Sequence, residues 1–307
     1  MTQKSDPDAK KTTRSAIASP ISGVASGLSW RARDQYAKIR DAKNKAEIFL
    51  RRMTSLNTPE KRLIGESQAY WNNPSSKSLR QNSHWRGVGI FADDARWLAL
   101  GLEHLQLYQE LARVVDLKQS PKRIVEWGCG GGTNAVHFGR MADEFYGIDI
   151  SSSSLVECGK QMTEAGLQNF RPILIDSKAP EAALSQLPGA CDLFISTYVF
   201  ELLPTPEYGI RILRIACELL ATGGIALIQI KYSEGDTQTR SRAWAYAKNL
   251  AWNATYRIED FWKAAQQCGF TPKTVTLQPE QPLVNDRNYA YFLLQKTTCQ
   301  GNERKKS

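Results

Sequence analysis

The residues best suited to chemistry begin at Arg123-Ile-Val-Glu-Trp-Gly-Cys-Gly-Gly-Gly-Thr-Asn-Ala-Val-His137, an apolar run that opens into a glycine loop and then a helical segment. Gly128, Gly130 and Gly132 carry no side chain to keep a ligand off the backbone, and the loop leads to a helix start whose N–H groups lack intrahelical partners. That is a place for a nucleotide-like ligand. Two carboxylates follow. Asp149, in Tyr146-Gly-Ile-Asp149, lies about 20 residues on, at the end of a second apolar run, where it can accept both hydroxyl hydrogens of a ribose. Asp176, in Ile175-Asp-Ser177, closes a third run and suits an exocyclic amino group such as that of adenine. The glycines alone do not decide the ligand, because Gly130 to Ala135 also fits the dinucleotide pattern G-x-G-x-x-A.

These residues need elements that bring them together. From Pro121 onward, short apolar runs alternate with helical segments, as in βα units around a parallel sheet. The expected strands are 123–127, 144–148, 171–175, 192–196, 225–230, 274–277 and 289–294, with helices from about Asn134, Ser152, Glu181 and Glu207 and over 258–268. Ligands of open α/β sheets bind outside the carboxyl ends of the strands, where the glycine loop, Asp149 and Asp176 would converge.

The 307 residues carry a formal charge of +9, but residues 1–62 hold a net +8 and the last seven a net +2, so the body is close to neutral. A broad cationic field for nucleic acid is therefore disfavoured. Residues 1–30 read as a disordered basic tail and 298–307 as another, for want of apolar residues to offset ordering entropy. Residues 31–115 read as a helical extension and cover, with a basic amphipathic helix over 31–53 and an aromatic-rich stretch over 65–110 of loops leading into a longer helix. Residues 116–297 form the expected catalytic domain. No stretch spans a bilayer, and the expectation is a soluble, cytoplasmic protein of open oligomeric state. The six cysteines form no C-x-x-C and read as buried free thiols, with no metal site.

Glu126-Trp-Gly-Cys-Gly-Gly-Gly132, Gly147-Ile-Asp-Ile-Ser151, Ile175-Asp176 and Cys191-Asp-Leu-Phe-Ile-Ser-Thr-Tyr-Val-Phe-Glu201 occur in an order and spacing that resembles the class I S-adenosylmethionine-dependent methyltransferases. Leu219-Leu-Ala-Thr-Gly-Gly-Ile-Ala226 resembles the turn and fifth strand of that family, and the likeness covers about residues 121–296. The resemblance implies a Rossmann-like, seven-stranded, mostly parallel α/β sheet with helices on both faces, an antiparallel last strand, and S-adenosyl-L-methionine across the strand ends. It places Glu126, Gly128, Cys129, Gly130 and Gly132 on the methionine and ribose side. Asp149 would hold the ribose, Ile150 would pack on the adenine, and Asp176 with Ser177 would meet its edge. Thr197 and Tyr198 would face the methyl group and a small-molecule or sugar-like acceptor.

Transfer to a hydroxyl also needs a proton acceptor. Glu201, three residues past Tyr198, is the best-placed carboxylate by sequence, with Tyr198 beside it as a second catalytic candidate. His84, Asp93, Asp94, Lys231 and Tyr232 are weaker candidates, whereas His104 and His137 read as packed core histidines. The connection 231–257 interleaves aromatic and basic residues and reads either as a substrate lid or as packing on the sheet edge. A nucleotide-dependent oxidoreductase is disfavoured by the lack of a Tyr-x-x-x-Lys pair, and a phosphate-loop enzyme by the lack of G-x-x-x-x-G-K-[S/T]. An RNA- or protein-directed transferase that uses the basic arm, and a cofactor-binding scaffold without turnover, are the alternatives.

Overall fold

A computed structural model describes residues 58–297 except 74, 118–119 and 188–189, together with positions 39, 42–43, 46 and 50. The chain divides into two units, 1–55 and 56–307. Within the first, the described positions, Ile39, Ala42, Lys43, Ala46 and Leu50, are helical and exposed. The tails expected at 1–30 and 298–307 lie outside the described residues.

In the second unit the strands are β1 (Arg123–Trp127), β2 (Glu144–Asp149), β3 (Phe170–Leu174), β4 (Cys191–Ser196), β5 (Leu220–Lys231), β6 (Phe270–Gln281) and β7 (Asp286–Lys296). They form one sheet in the order β3-β2-β1-β4-β5-β7-β6, in which β7 alone runs against its neighbours. Successive side chains point to opposite faces, and the apolar residues sort accordingly. Val125, Tyr146, Phe194, Ala226, Ile228 and Phe292 belong to one buried cluster, while Ile124, Phe145, Leu193, Ile225, Leu227 and Leu293 belong to another. Both faces are therefore covered, which explains why the central strands read as unbroken apolar runs.

The helices are α1 (Glu60–Trp71), α2 (Lys77–Asn82), α3 (Asp94–Val114), α4 (Ala135–Phe138), α5 (Ser152–Glu164), α6 (Ala182–Gln186), α7 (Pro206–Leu219) and α8 (Ile258–Gln267). Several start where the sequence supplies a cap. Ser151 accepts from the N–H of Ser154, and Thr205 accepts from that of Tyr208 ahead of Pro206. Asp93 does the same for α3 by accepting from Ala95, and Asp94 pairs with Arg86 at 2.6 Å, so both of these carboxylates have structural work. Three expectations are corrected. The loops expected before α3 include the twelve-residue helix α1. The helix after the glycine loop is a single α turn that continues as a 3-10 turn over Gly139–Met141, so the loop is not backed by a long helix dipole. Strand β5 starts at Leu220 rather than 225, because Leu220 pairs with Cys191 before a register shift. Among the described residues no helix is long and apolar enough to cross a membrane, and no group of three or more His, Cys, Asp and Glu is arranged to hold a metal ion.

Candidate active site

The chain leaves β1 and β4, which are adjacent, toward opposite edges of the sheet, and their carboxyl ends open into a crevice. A cavity lies there, bounded by the ends of β1, β2 and β4 below and by α1, α2 and the 200–208 turn above.

Asp149 ends β2 with its carboxylate across the glycine loop. Oδ2 accepts from the N–H of Gly130 at 3.0 Å and Oδ1 from that of Ser151 at 2.8 Å. Burial pushes this carboxyl up to about 6, against hydrogen bonds from the Ser151, Gly130 and Ile150 backbone that favour its charge. Each oxygen still has a lone pair for an outside donor. Glu126, 3 % exposed on β1, accepts from Asn134 Nδ2 at 2.8 Å through Oε1. Its Oε2 is buried without a partner among the described residues, and burial pushes its carboxyl up to about 8. A buried carboxyl oxygen without a partner is costly, and a cationic donor from a ligand would both pair it and favour its ionised form.

The glycine loop also meets the rest of the chain. A Cβ on Gly130, whose φ is +50°, would lie 2.6 Å from the carbonyl oxygen of Ser83, and one on Gly131 would lie 2.7 Å from that of His84. The loop is locked to this segment by the Gly131 N–H, which donates to Ser83 O at 2.7 Å. Trp97 Nε1 of α3 holds His84 O at 2.7 Å. Across the crevice, Trp71 Nε1 donates to Tyr246 Oη at 2.7 Å, and that hydroxyl donates to Leu202 O at 2.6 Å. Gln68 Oε1 of α1 accepts the N–H of Ser177 at 2.9 Å. The 65–91 segment and part of the 231–257 connection thus form a latched cover.

Of the residues expected at the site, Glu126, Gly128, Cys129, Gly130, Asp149, Ile150, Ser177, Thr197 and Tyr198 line the cavity. Gly132, Asp176 and Glu201 do not. Gly132 instead gives room to Cys158, whose Cα would be 3.2 Å from an added Cβ. Asp176 is exposed and spends its carboxylate on the turn, accepting from the N–H of Lys178 at 2.8 Å. Glu201 is buried on the 3-10 turn after β4 in the company of Gln229, Lys231 and Asp286, and burial pushes its carboxyl up to about 7 against the opposing charge of Lys231. Lys231 is itself fully buried, paired with Asp286 at 2.6 Å and set over the Trp252 ring at 4.3 Å.

Other lining residues were not legible as such. Asn134 joins the glycine loop to β4, donating to Glu126 and also to Thr197 Oγ1 at 2.9 Å; its place directly after Gly-Gly-Gly-Thr was the available signal. His104, expected as core, is buried but also lines the cavity, and its Nδ1 is 2.7 Å from Asn134 Oδ1. His137 is half-buried, as packing would have it, and does not line the cavity.

Residues 101–275 match a family model described as a methyltransferase domain. A ubiquinone biosynthesis O-methyltransferase of Ralstonia nicotianae is 26 % identical over 161 residues, which cover 52 % of this chain and 64 % of the relative. A protein of the same name from Cupriavidus pinatubonensis is 30 % identical over 104 residues, covering 34 % of this chain and 39 % of the relative. The chain thus spans less than two thirds of the length of either. Among solved structures, a magnesium protoporphyrin IX methyltransferase from Synechocystis with bound S-adenosylhomocysteine has the same fold, with a TM-score of 0.53 at 15 % identity over 77 % of this chain and all of that one.

Proposed function

The chain belongs to the methyltransferase-domain family, and from that premise we propose that it transfers the methyl group of S-adenosylmethionine to an oxygen of a small-molecule acceptor. The observation that carries this reading is the pair of carboxylates beside the glycine loop, Asp149 at the end of β2 with spare lone pairs and Glu126 on β1 with an orphaned oxygen. When bound, the cofactor supplies an activated methyl group on a sulfonium. Asp149 holds the two ribose hydroxyls while its other lone pairs keep Gly130 and Ser151 in place. Glu126 Oε2 takes the ammonium of the methionine portion, and Ile150 and Ser177 bound the adenine. Asp176 stands outside the cavity, so the Ser177 backbone is the edge contact in this reading, in competition with Gln68. Thr197 and Tyr198 face the acceptor. Glu201, set away from the cavity, is not assigned the proton.

Positioning supplies much of the catalysis in such a displacement. The names of the two curated relatives support oxygen as the acceptor atom, and the aromatic lining from Trp71, Tyr198 and Tyr246 supports a flat, largely apolar molecule. Incubation with methyl-labelled S-adenosylmethionine and a panel of phenols, sugars and amines tests this. Label is expected on an oxygen of a small molecule, with an equal amount of S-adenosylhomocysteine formed. Label that goes only to nitrogen, RNA or protein contradicts it.

A further inference from the structure

Helix α1 meets the turn after β3 at Ser177, which is 3 % exposed and has every polar group engaged. Its carbonyl oxygen accepts from Tyr208 Oη at 2.5 Å, and its hydroxyl donates to Ile64 O at 3.5 Å. Its N–H donates at 2.9 Å to Oε1 of Gln68, a half-buried side chain on α1. Ser67 and Trp71, on either side of Gln68 along the helix, line the cavity, as does Ser177 itself.

A side-chain amide and the outer edge of adenine offer the same pair of groups. The amide sets a carbonyl acceptor beside an NH2 donor, and adenine sets its N1 acceptor beside its exocyclic NH2. Gln68 therefore gives the Ser177 N–H what an adenine edge would give it. That N–H has one hydrogen, so the two partners compete for it. Asp176, the neighbouring carboxylate, takes no part, because it accepts from the N–H of Lys178.

The bond from Gln68 is not what keeps α1 in place. At the start of the helix Thr205 Oγ1 donates to Glu60 Oε2 at 2.7 Å, and further along the Tyr246 N–H donates to Glu66 Oε2 at 3.2 Å. Trp71 Nε1 donates to Tyr246 Oη at the far end, and Leu63 and Ile64 are buried between. A half-buried amide can turn toward solvent while the helix stays docked.

Resting on the cofactor placement of the preceding section, we propose that Gln68 is an internal stand-in for the adenine edge, which the cofactor must displace from Ser177 to seat its base. The site is then competent only in the fraction of molecules whose amide is turned out, and apparent affinity is lowered by that fraction. Gln68 and Trp71 act in opposite senses from one helix. The Trp71 latch closes the cover over a bound ligand, whereas the Gln68 bond belongs to the ligand-free protein alone.

Titration calorimetry of the full chain with S-adenosylhomocysteine reads the competition without turnover. Gln68→Ala is expected to bind about 3- to 10-fold more tightly than wild type, the effect of removing one neutral hydrogen bond from the free state. Gln68→Glu keeps an acceptor and gives it charge, which strengthens its hold on the N–H, so binding about 3- to 10-fold weaker than wild type is expected. A side chain that only packs the helix would weaken binding when cut back to Ala, as Trp71→Phe is expected to do. Unchanged or weaker binding by Gln68→Ala overturns the proposal. Nitrogen-15 NMR of serine-labelled protein, with the Ser177 amide assigned from Ser177→Ala, gives a second reading. That signal should differ between wild type and Gln68→Ala in the free proteins and coincide in their S-adenosylhomocysteine complexes. A difference that persists in the complexes means that the amide stays on Ser177, and is equally contrary. Should Gln68→Ala not fold, Gln68→Glu supplies both readings. A wild type that binds S-adenosylhomocysteine while these readings fail defeats this inference alone, whereas one that binds neither cofactor nor product defeats the cofactor placement and this inference with it.

Discussion

The lower wall of the cavity draws most of its residues from the stretch between Glu126 and Ile150, with Thr197 and Tyr198 added just past β4, whereas the cover gathers Ser67, Trp71, Ser83, His84, Leu202 and Tyr246 from segments far apart in the chain. The wall is held by contacts that follow from one βαβ unit, such as Gly130 N–H to Asp149. The cover is held by contacts such as Trp71 to Tyr246 and Ser177 to Gln68 that only the finished fold can make. The two regions meet at the glycine loop. Its glycines therefore answer to two demands, room for a ligand and room for the backbone of Ser83 to His84.

That double duty can be broken at Gly130. With Ala there, a methyl group would press on Ser83 O and φ would be unfavourable for an L-residue, for a loss of about 3 kcal/mol of stability in urea unfolding. If Gly130→Ala weakens ligand binding yet leaves stability intact, the loop serves the ligand only, and the cover is not packed on it as described.

A second test uses charge. Glu126 and Asp149 have carboxyls raised in the folded protein to about 8 and about 6. The folded state then holds more protons than the unfolded one, so these groups contribute most below their unfolded values, and their contribution falls as pH rises through 6 and 8. The thermal midpoint of the ligand-free protein should drop over that range. Glu126→Gln should remove part of the drop, and the remainder belongs to Asp149 and to Glu201, raised to about 7. A bound cation reverses the sign: affinity for S-adenosylmethionine should rise with pH by up to about tenfold per unit over the same interval.

Smaller effects separate the cover from the wall. Trp71→Phe deletes one hydrogen bond to Tyr246 and keeps the ring, for about 1 kcal/mol, seen as a few-fold weaker S-adenosylhomocysteine affinity in calorimetry. Asp176→Ala should change that affinity by less than about threefold, because an exposed turn carboxylate outside the cavity is removed. A large loss at Asp176 would restore it to the adenine edge.

The same contrast explains what the sequence could disclose. Strand β1 falls at its expected limits because apolar period and glycine punctuation coincide there. Asp149 is legible because strand end and loop are neighbours in one unit. Asp176 and Glu201 show the limit of that reasoning: position after a strand fixes the backbone, while the choice between cavity, turn and buried cluster depends on Lys178, Lys231 and Gln229. His104 lies in an apolar helical pattern, and nothing local says that Gly101 would bring α3 against Thr133 and so carry the histidine to Asn134. Helix α1 was hidden because its apolar face is thin, with Leu63, Ile64, Ser67 and Trp71 as its buried residues.

The central claim is that Asp149 anchors a ribose-bearing, cationic methyl donor against the glycine loop. Titration calorimetry of the full chain with S-adenosylmethionine and S-adenosylhomocysteine, on wild type and on Asp149→Ala, measures it most directly. The expected result is one site per chain on wild type and a loss of about 10- to 100-fold or more with Asp149→Ala, the net worth of charge-assisted hydrogen bonding to the ribose. No binding to the wild type, or equal affinity in the two proteins, would contradict the account.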